Sequence, residues 1–182
     1  RGPPDATPRP SSAASDVYER QNHKDSQRGS YFGPEYSNQE IESFLNEHSI
    51  PHSPVDGEII DRTVELLMQE KVVGWFQGRM EFGPRALGNR SIIGDARSPK
   101  MQRKMNLKIK YRESFRPFAP TILAERISDY FEIDRESPYM LLVAQVKKER
   151  QIPMKEEEKD FFGLNKLNVV RSDVPAITHI DY

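Results

Sequence analysis

Between Gly74 and Pro120 the chain reads GWFQGRMEFGPRALGNRSIIGDARSPKMQRKMNLKIKYRESFRPFAP. Arg79, Arg85 and Arg90 alternate there with Gly78, Gly83 and Gly88, and Lys108, Lys110, Arg112 and Arg116 follow. The acids in the stretch are Glu81, Asp95 and Glu113. A guanidinium pairs with phosphate or carboxylate through parallel hydrogen bonds, and glycine lets a ligand approach main-chain N–H groups. The set is therefore expected to bind a polyanion such as a nucleotide or an acyl phosphate. For any single arginine the alternative is pairing with Glu81, Asp95 or Glu113. For the Lys108–Arg116 segment alone, the alternative is a basic helix end whose cations complement the dipole.

The stretch is neither a Walker A loop, lacking Gly-x4-Gly-Lys-Ser/Thr, nor a dinucleotide-binding fingerprint. His48 and His52 are four residues apart, but Pro51 breaks the helix that would align them, so no metal site is expected. His179, beside Asp181, is either a ligand contact or a satisfied edge residue. No Ser-His-Asp pattern or carboxylate pair stands out.

The elements that must carry these residues fit one domain in 182 residues. Net charge is −1, so the cationic density is local. Apolar residues make up 36% and charged residues 30%, with mean hydropathy −0.76, polar enough to imply a disordered portion. That portion is placed at residues 1–30, rich in Pro and Ser, as a flexible linker or tail. Cysteine is absent, which excludes disulfides, thiolate metal sites and a Cys nucleophile. With no spanning apolar run and no signal-peptide pattern, a cytoplasmic protein without membrane contact is expected.

Ser37 and Glu40 form a capping box ahead of a helix bearing Ile41, Phe44 and Leu45. A second helix lies within Asp56–Glu70, with Ile60, Val64, Leu67 and Met68 on one face. Lys71–Phe76 reads as a buried strand. Ser98–Pro99 starts a helix reaching about Lys110, with proline at its first position. Further strands are expected at Phe118–Leu123, Tyr139–Val146 and Ala176–Ile180, with helices at Ala124–Phe131 and Lys155–Phe162. The alternation predicts an α/β fold, bordering on α+β.

Glu81–Ser91, Asp95–Arg97 and Arg112–Pro120 together resemble the C-terminal domain of the nodulation-type O-carbamoyltransferases, enzymes that decorate Nod factors and antibiotics. Tyr31–Ser37 and Pro175–Asp181 match the same pattern, and the resemblance covers about Ser30 to Tyr182. It implies a domain at 31–182 with a YrdC-like twisted mixed sheet and flanking helices, cut short at its C-terminal end. It also implies an N-terminal actin-like domain of the same polypeptide, carrying a further metal and transferring the carbamoyl group to a hydroxyl. In the C-terminal domain, ATP with Mg²⁺ and carbamoyl phosphate are expected to form carbamoyl adenylate. Arg85, Arg90 and Lys108 are then assigned to catalysis. Arg79, Arg112 and Arg116 clamp phosphate, Asn89 and Ser91 bond the carbamoyl or phosphate groups, His179 contacts the ligand and Glu81 orients an arginine. Without the N-terminal domain, complete transfer is not expected.

Two other readings use the same residues. One is an RNA- or nucleotide-binding module without catalysis. Against nucleic acid, the aromatics near the cations are few and read as mostly buried, whereas single-strand binders expose stacking rings. The other is a docking domain that closes over the catalytic domain, for which an apolar exposed patch would speak.

Overall fold

The computed structural model describes residues 27–55 and 57–179. Of the expected tail, residues 1–26 lie outside the described part. Helix α1, Asn38–Glu47, begins at the capping box read from sequence: Ser37 Oγ accepts the Glu40 N–H at 3.2 Å and Glu40 Oε2 accepts the Ser37 N–H at 2.7 Å. It stops where Ser49 turns left-handed (φ 52°), two residues before Pro51. Ile41 and Leu45 are half-buried, and Phe44 is exposed and stacks on His48.

Helix α2, Ile59–Met68, lies within the expected limits, but its apolar stripe is turned. Ile60, Val64 and Met68 face solvent while Leu66 and Leu67 are half-buried. The helix meets the strand that follows, β1, Val73–Phe76. That strand is half-buried on alternate residues rather than buried throughout: Val73 and Trp75 point inward, Gly74 and Phe76 outward. Its partner, β2, Arg90–Ile93, was not anticipated from sequence. The two run antiparallel with Val73 opposite Ile93 and Phe76 opposite Arg90, so the loop of interest is the connection of a hairpin.

Helix α3, Met101–Lys104, starts two residues after Pro99 and widens without a break into a π-helical turn, Met105–Ile109. The Lys110 N–H closes that turn on the Met105 carbonyl at 3.0 Å. Met101, Met105 and Ala176 form the small core, with Val72 and Phe118 packed against it. Gly94, leaving β2, has no room for a side chain: a Cβ there would sit 2.8 Å from Met101 Sδ. Hairpin and helix are thus packed together at that glycine.

The remainder is turn-rich. A 3₁₀ turn, Ala124–Arg126, leads into α4, Ile127–Tyr130, where a helix was expected. Short helices α5, Glu156–Lys159, and α6, Leu164–Leu167, follow. The strands expected at Phe118–Leu123 and Tyr139–Val146 do not form; the second supplies one isolated bridge, Phe131 to Val146. In place of the strand at Ala176–Ile180 stands a 3₁₀ turn, Pro175–Ile177, because Pro175 fixes φ and brings no donor; Ile180 lies outside the described residues. The fold is mixed α and β, and among the described residues its sheet has two antiparallel strands, smaller than the twisted mixed sheet expected.

Candidate functional site

The β1–β2 loop is held from outside by the segment that precedes α1. Gly33 N–H bonds the Met80 carbonyl and Met80 N–H bonds the Pro34 carbonyl, both at 2.9 Å. Phe82 N–H reaches the Ser30 carbonyl at 2.7 Å, and the Tyr31 hydroxyl donates to the Leu87 carbonyl at 3.0 Å. Gly33 is needed here because a Cβ would lie 2.9 Å from the Met80 carbonyl oxygen.

From inside, the loop is organised by Glu81, which is 5% exposed. One oxygen, Oε1, accepts the N–H groups of Leu87 and Asn89 at 2.7 Å each and of Arg90 at 3.3 Å. The acid expected to orient an arginine side chain instead gathers main-chain donors. Burial works to raise its carboxyl, and hydrogen bonds from the main-chain N–H groups of Glu81, Asn89, Leu87 and Arg90 outweigh burial and hold it below the usual range. Gly83 (φ 140°) and Gly88 (φ 122°) provide the left-handed backbone that lets the loop wrap the carboxylate.

Five expected site residues sit on this hairpin, and four of them are bonded within it or to the segment that precedes α1. Arg90 is committed to it: Nη1 donates to the carbonyls of Gln77 and Asn89 at 2.8 Å, and Nη2 to Gly78 at 2.9 Å and Pro34 at 3.4 Å. Its guanidinium also lies 3.5 Å from the centre of the Phe76 ring. Asn89 Nδ2 donates to the Arg79 carbonyl at 2.8 Å, and Ser91 Oγ accepts the Gly88 N–H at 3.1 Å. Arg79 is exposed, donating to the Gly33 carbonyl at 3.2 Å and lying 3.5 Å from a Glu35 oxygen.

Arg112 and Arg116 are gathered separately, around a residue that sequence reasoning passed over. Asn106 is fully buried. Its Nδ2 donates to the carbonyls of Ser114 at 3.1 Å and Arg116 at 2.9 Å, and its Oδ1 accepts Arg112 Nε at 2.6 Å. Gln102, one turn earlier and also buried, adds a bond to the Arg116 carbonyl at 3.2 Å. The signal was there: Gln102 and Asn106 each follow a core methionine, so Met101, Gln102, Met105 and Asn106 share one helix face. Arg112 also stacks near Phe118, at 4.9 Å, while Arg116 pairs with Glu113 at 3.1 Å on the surface.

Arg85 and Lys108 differ from the rest. Both are exposed, and neither side chain makes a hydrogen bond or ion pair among the described residues. No hydrogen bond or ion pair joins the hairpin set to the Asn106 set among those residues. His179 follows the Pro175–Ile177 turn, and its carbonyl accepts Arg171 Nη2 at 2.6 Å. The aromatics beside the cations are more open than the sequence implied: Phe82 is 77% exposed and Tyr111 86%. Cavities of about 470 Å³ and 740 Å³ occur, and none of the expected site residues lines either. Among the described residues no group of three or more His, Asp or Glu side chains is placed to hold a metal, and no helix is long and apolar enough to cross a membrane.

The model of one protein family, described as the carbamoyltransferase C-terminus, matches residues 64–182. An uncharacterised protein of Synechocystis is 54% identical over 160 residues, 86% of this chain and 26% of its own length. The nodulation protein NolNO of Sinorhizobium fredii is 36% identical over 127 residues, 68% of this chain and 16% of its own. The 3'-hydroxymethylcephem-O-carbamoyltransferase of Streptomyces clavuligerus is 37% identical over 111 residues, 61% of this chain and 17% of its own. The chain thus spans 26% or less of each of these three relatives.

Proposed function

The chain belongs to the carbamoyltransferase C-terminal family, and on that premise we propose that it binds ATP with Mg²⁺ and carbamoyl phosphate through its basic surface, as the carbamoyl-adenylate-forming domain of an O-carbamoyltransferase. The observation that carries this reading is the contrast between two kinds of cation. Arg90 spends both of its Nη groups and Arg112 its Nε on the protein's own oxygens, whereas among the described residues the side chains of Arg85 and Lys108 make no hydrogen bond or ion pair. Rigid cations form the support and free ones meet the ligand. Carbamate, freed when water displaces the phosphate of carbamoyl phosphate, would attack the α-phosphorus of ATP and expel pyrophosphate, building charge on the equatorial and departing oxygens that positioned cations stabilise. Mg²⁺ would arrive on the phosphates, since among the described residues no carboxylate cluster is placed to hold it.

The wider twisted sheet of the YrdC-like class, the N-terminal actin-like domain with its own metal, transfer to a hydroxyl and a cytoplasmic location all belong to this proposal for the whole protein. Exposed Ile59, Ile60, Val64 and Met68 on α2 offer apolar surface for a further domain, which supports the docking component. A nucleic-acid reading gains from the exposure of Phe82 and Tyr111, because open rings beside cations suit single strands. Balanced net charge weighs against it.

Calorimetric titration with ATP and Mg²⁺, with and without carbamoyl phosphate, tests the reading. Binding in the micromolar to millimolar range, about −8 to −4 kcal/mol, that weakens in Arg85→Ala and Lys108→Ala is the expected result. Affinity unchanged in both variants would overturn the phosphate assignment. An RNA oligonucleotide that ATP cannot displace, with a steep salt dependence, would favour the alternative.

A further inference from the structure

We infer that the Tyr111 ring is the platform on which the flat base of the bound nucleotide stacks. This rests on the reading of the basic surface as a nucleoside triphosphate site and names a contact that reading lacks.

Tyr111 combines two costs that packing does not explain. The residue is 86% exposed, so its side chain returns little apolar burial. Its backbone is left-handed, at φ 49°, where a Cβ crowds the following carbonyl and a bulky aromatic is disfavoured. The position is the one just past the end of the π-helical turn, Lys110 being its cap, and glycine is the usual solution there. Other left-handed residues, Ser49 and Glu70, also follow helices, but neither presents an aromatic ring. Strain of this kind persists where the surroundings over-determine it. Here they do: the Arg112 N–H bonds the Asn106 carbonyl at 3.0 Å, and Arg112 Nε bonds the Asn106 side chain at 2.6 Å. The residue after Tyr111 is therefore clamped twice to a buried asparagine.

The neighbours define the ligand class. Lys108 and Lys110 precede the ring, Arg112 follows it, and no acid lies between residues 107 and 112. The ring makes no hydrogen bond or ring contact among the described residues. An exposed ring flanked along the chain by cations suits a molecule with a flat heterocycle at one end and phosphates at the other. A small phosphate compound lacking a base would use the cations and ignore the ring.

The test compares ATP–Mg²⁺ with inorganic tripolyphosphate–Mg²⁺ by calorimetry on the wild type, Tyr111→Gly and Tyr111→Phe, with urea unfolding of each. Tyr111→Gly is expected to unfold at higher urea, because it relieves the left-handed strain, and to weaken ATP about tenfold. Tripolyphosphate affinity should stay unchanged, and Tyr111→Phe should bind both ligands like the wild type. ATP bound equally by the glycine variant and the wild type would overturn the inference. So would a parallel fall for both ligands, which would mean that the ring only shapes the loop. If the wild type binds tripolyphosphate as tightly as ATP, stacking falls and the phosphate site stands. If it binds neither, the phosphate reading falls and takes stacking with it. An oligonucleotide that binds more tightly than ATP and depends on Tyr111 would reassign the platform to nucleic acid.

Discussion

The Arg90 guanidinium lies 3.5 Å from the centre of the Phe76 ring, directly across the hairpin register from it. A residue that invites assignment as a phosphate clamp is thus held face-on to its strand partner while its edges bond four carbonyls. Arg90→Ala should therefore cost stability, roughly 2 kcal/mol from the stacked cation and its bonds, measured by urea unfolding. Arg90→Lys should recover little, since an ammonium cannot span four carbonyls or lie flat on a ring.

Glu81 makes stability depend on acid. Its carboxyl is held below the ordinary value of about 4.3, so the folded state favours the charged form. The stabilisation is fully present above that ordinary value and is lost as pH falls through the lower folded value. Glu81→Gln should be less stable at neutral pH by about 1 kcal/mol and show a flatter decline in stability below about pH 4. Equal slopes for wild type and variant in pH-dependent unfolding would contradict the assignment.

Asn106 supports its surface segment by being both donor and acceptor. Asn106→Asp keeps the acceptor facing Arg112 but turns oxygen toward the Ser114 and Arg116 carbonyls. Asn106→Leu fills the space and satisfies nothing. Both should cost about 1–3 kcal/mol, and hydrogen exchange at residues 112–116 should quicken in both. Arg112→Lys, which leaves Asn106 in place, should quicken it less.

Arg85→Ala and Lys108→Ala should leave unfolding midpoints within about 0.5 kcal/mol of the wild type, as surface changes without partners do. A loss of stability as large as that expected for Arg90→Ala would move them from ligand contacts to structure.

How far the sequence could be read depended on the range of the interaction. The Ser37–Glu40 capping box and the helix behind it are local, and the structure reproduces both. The limits of α2 were legible but its buried face was not, because apolar periodicity does not say which neighbour arrives. The apolar run Met140–Val143 looked like a strand, yet Val143 is 99% exposed, since pairing needs a partner that composition does not name. β2 was hidden by the opposite error, an Arg-Ser start that reads as turn. The arginines were found as a group, but their division into support and free cations was not readable. Whether a guanidinium is spent depends on carbonyls as distant as Pro34 is from Arg90.

The strap across the hairpin bears on where this protein can be shortened. The match to the family model begins at residue 64, thirty residues after the contacts that Ser30, Tyr31, Gly33 and Pro34 make with Met80, Phe82, Leu87 and Arg90, while the likeness to the Synechocystis relative, over 86% of the chain, reaches further upstream. A piece begun at Val64 would leave the Phe82 and Met80 N–H groups to water and free the Leu87 carbonyl. A piece that keeps those hydrogen bonds begins upstream of Ser30, outside the span that the family model alone would mark as the domain.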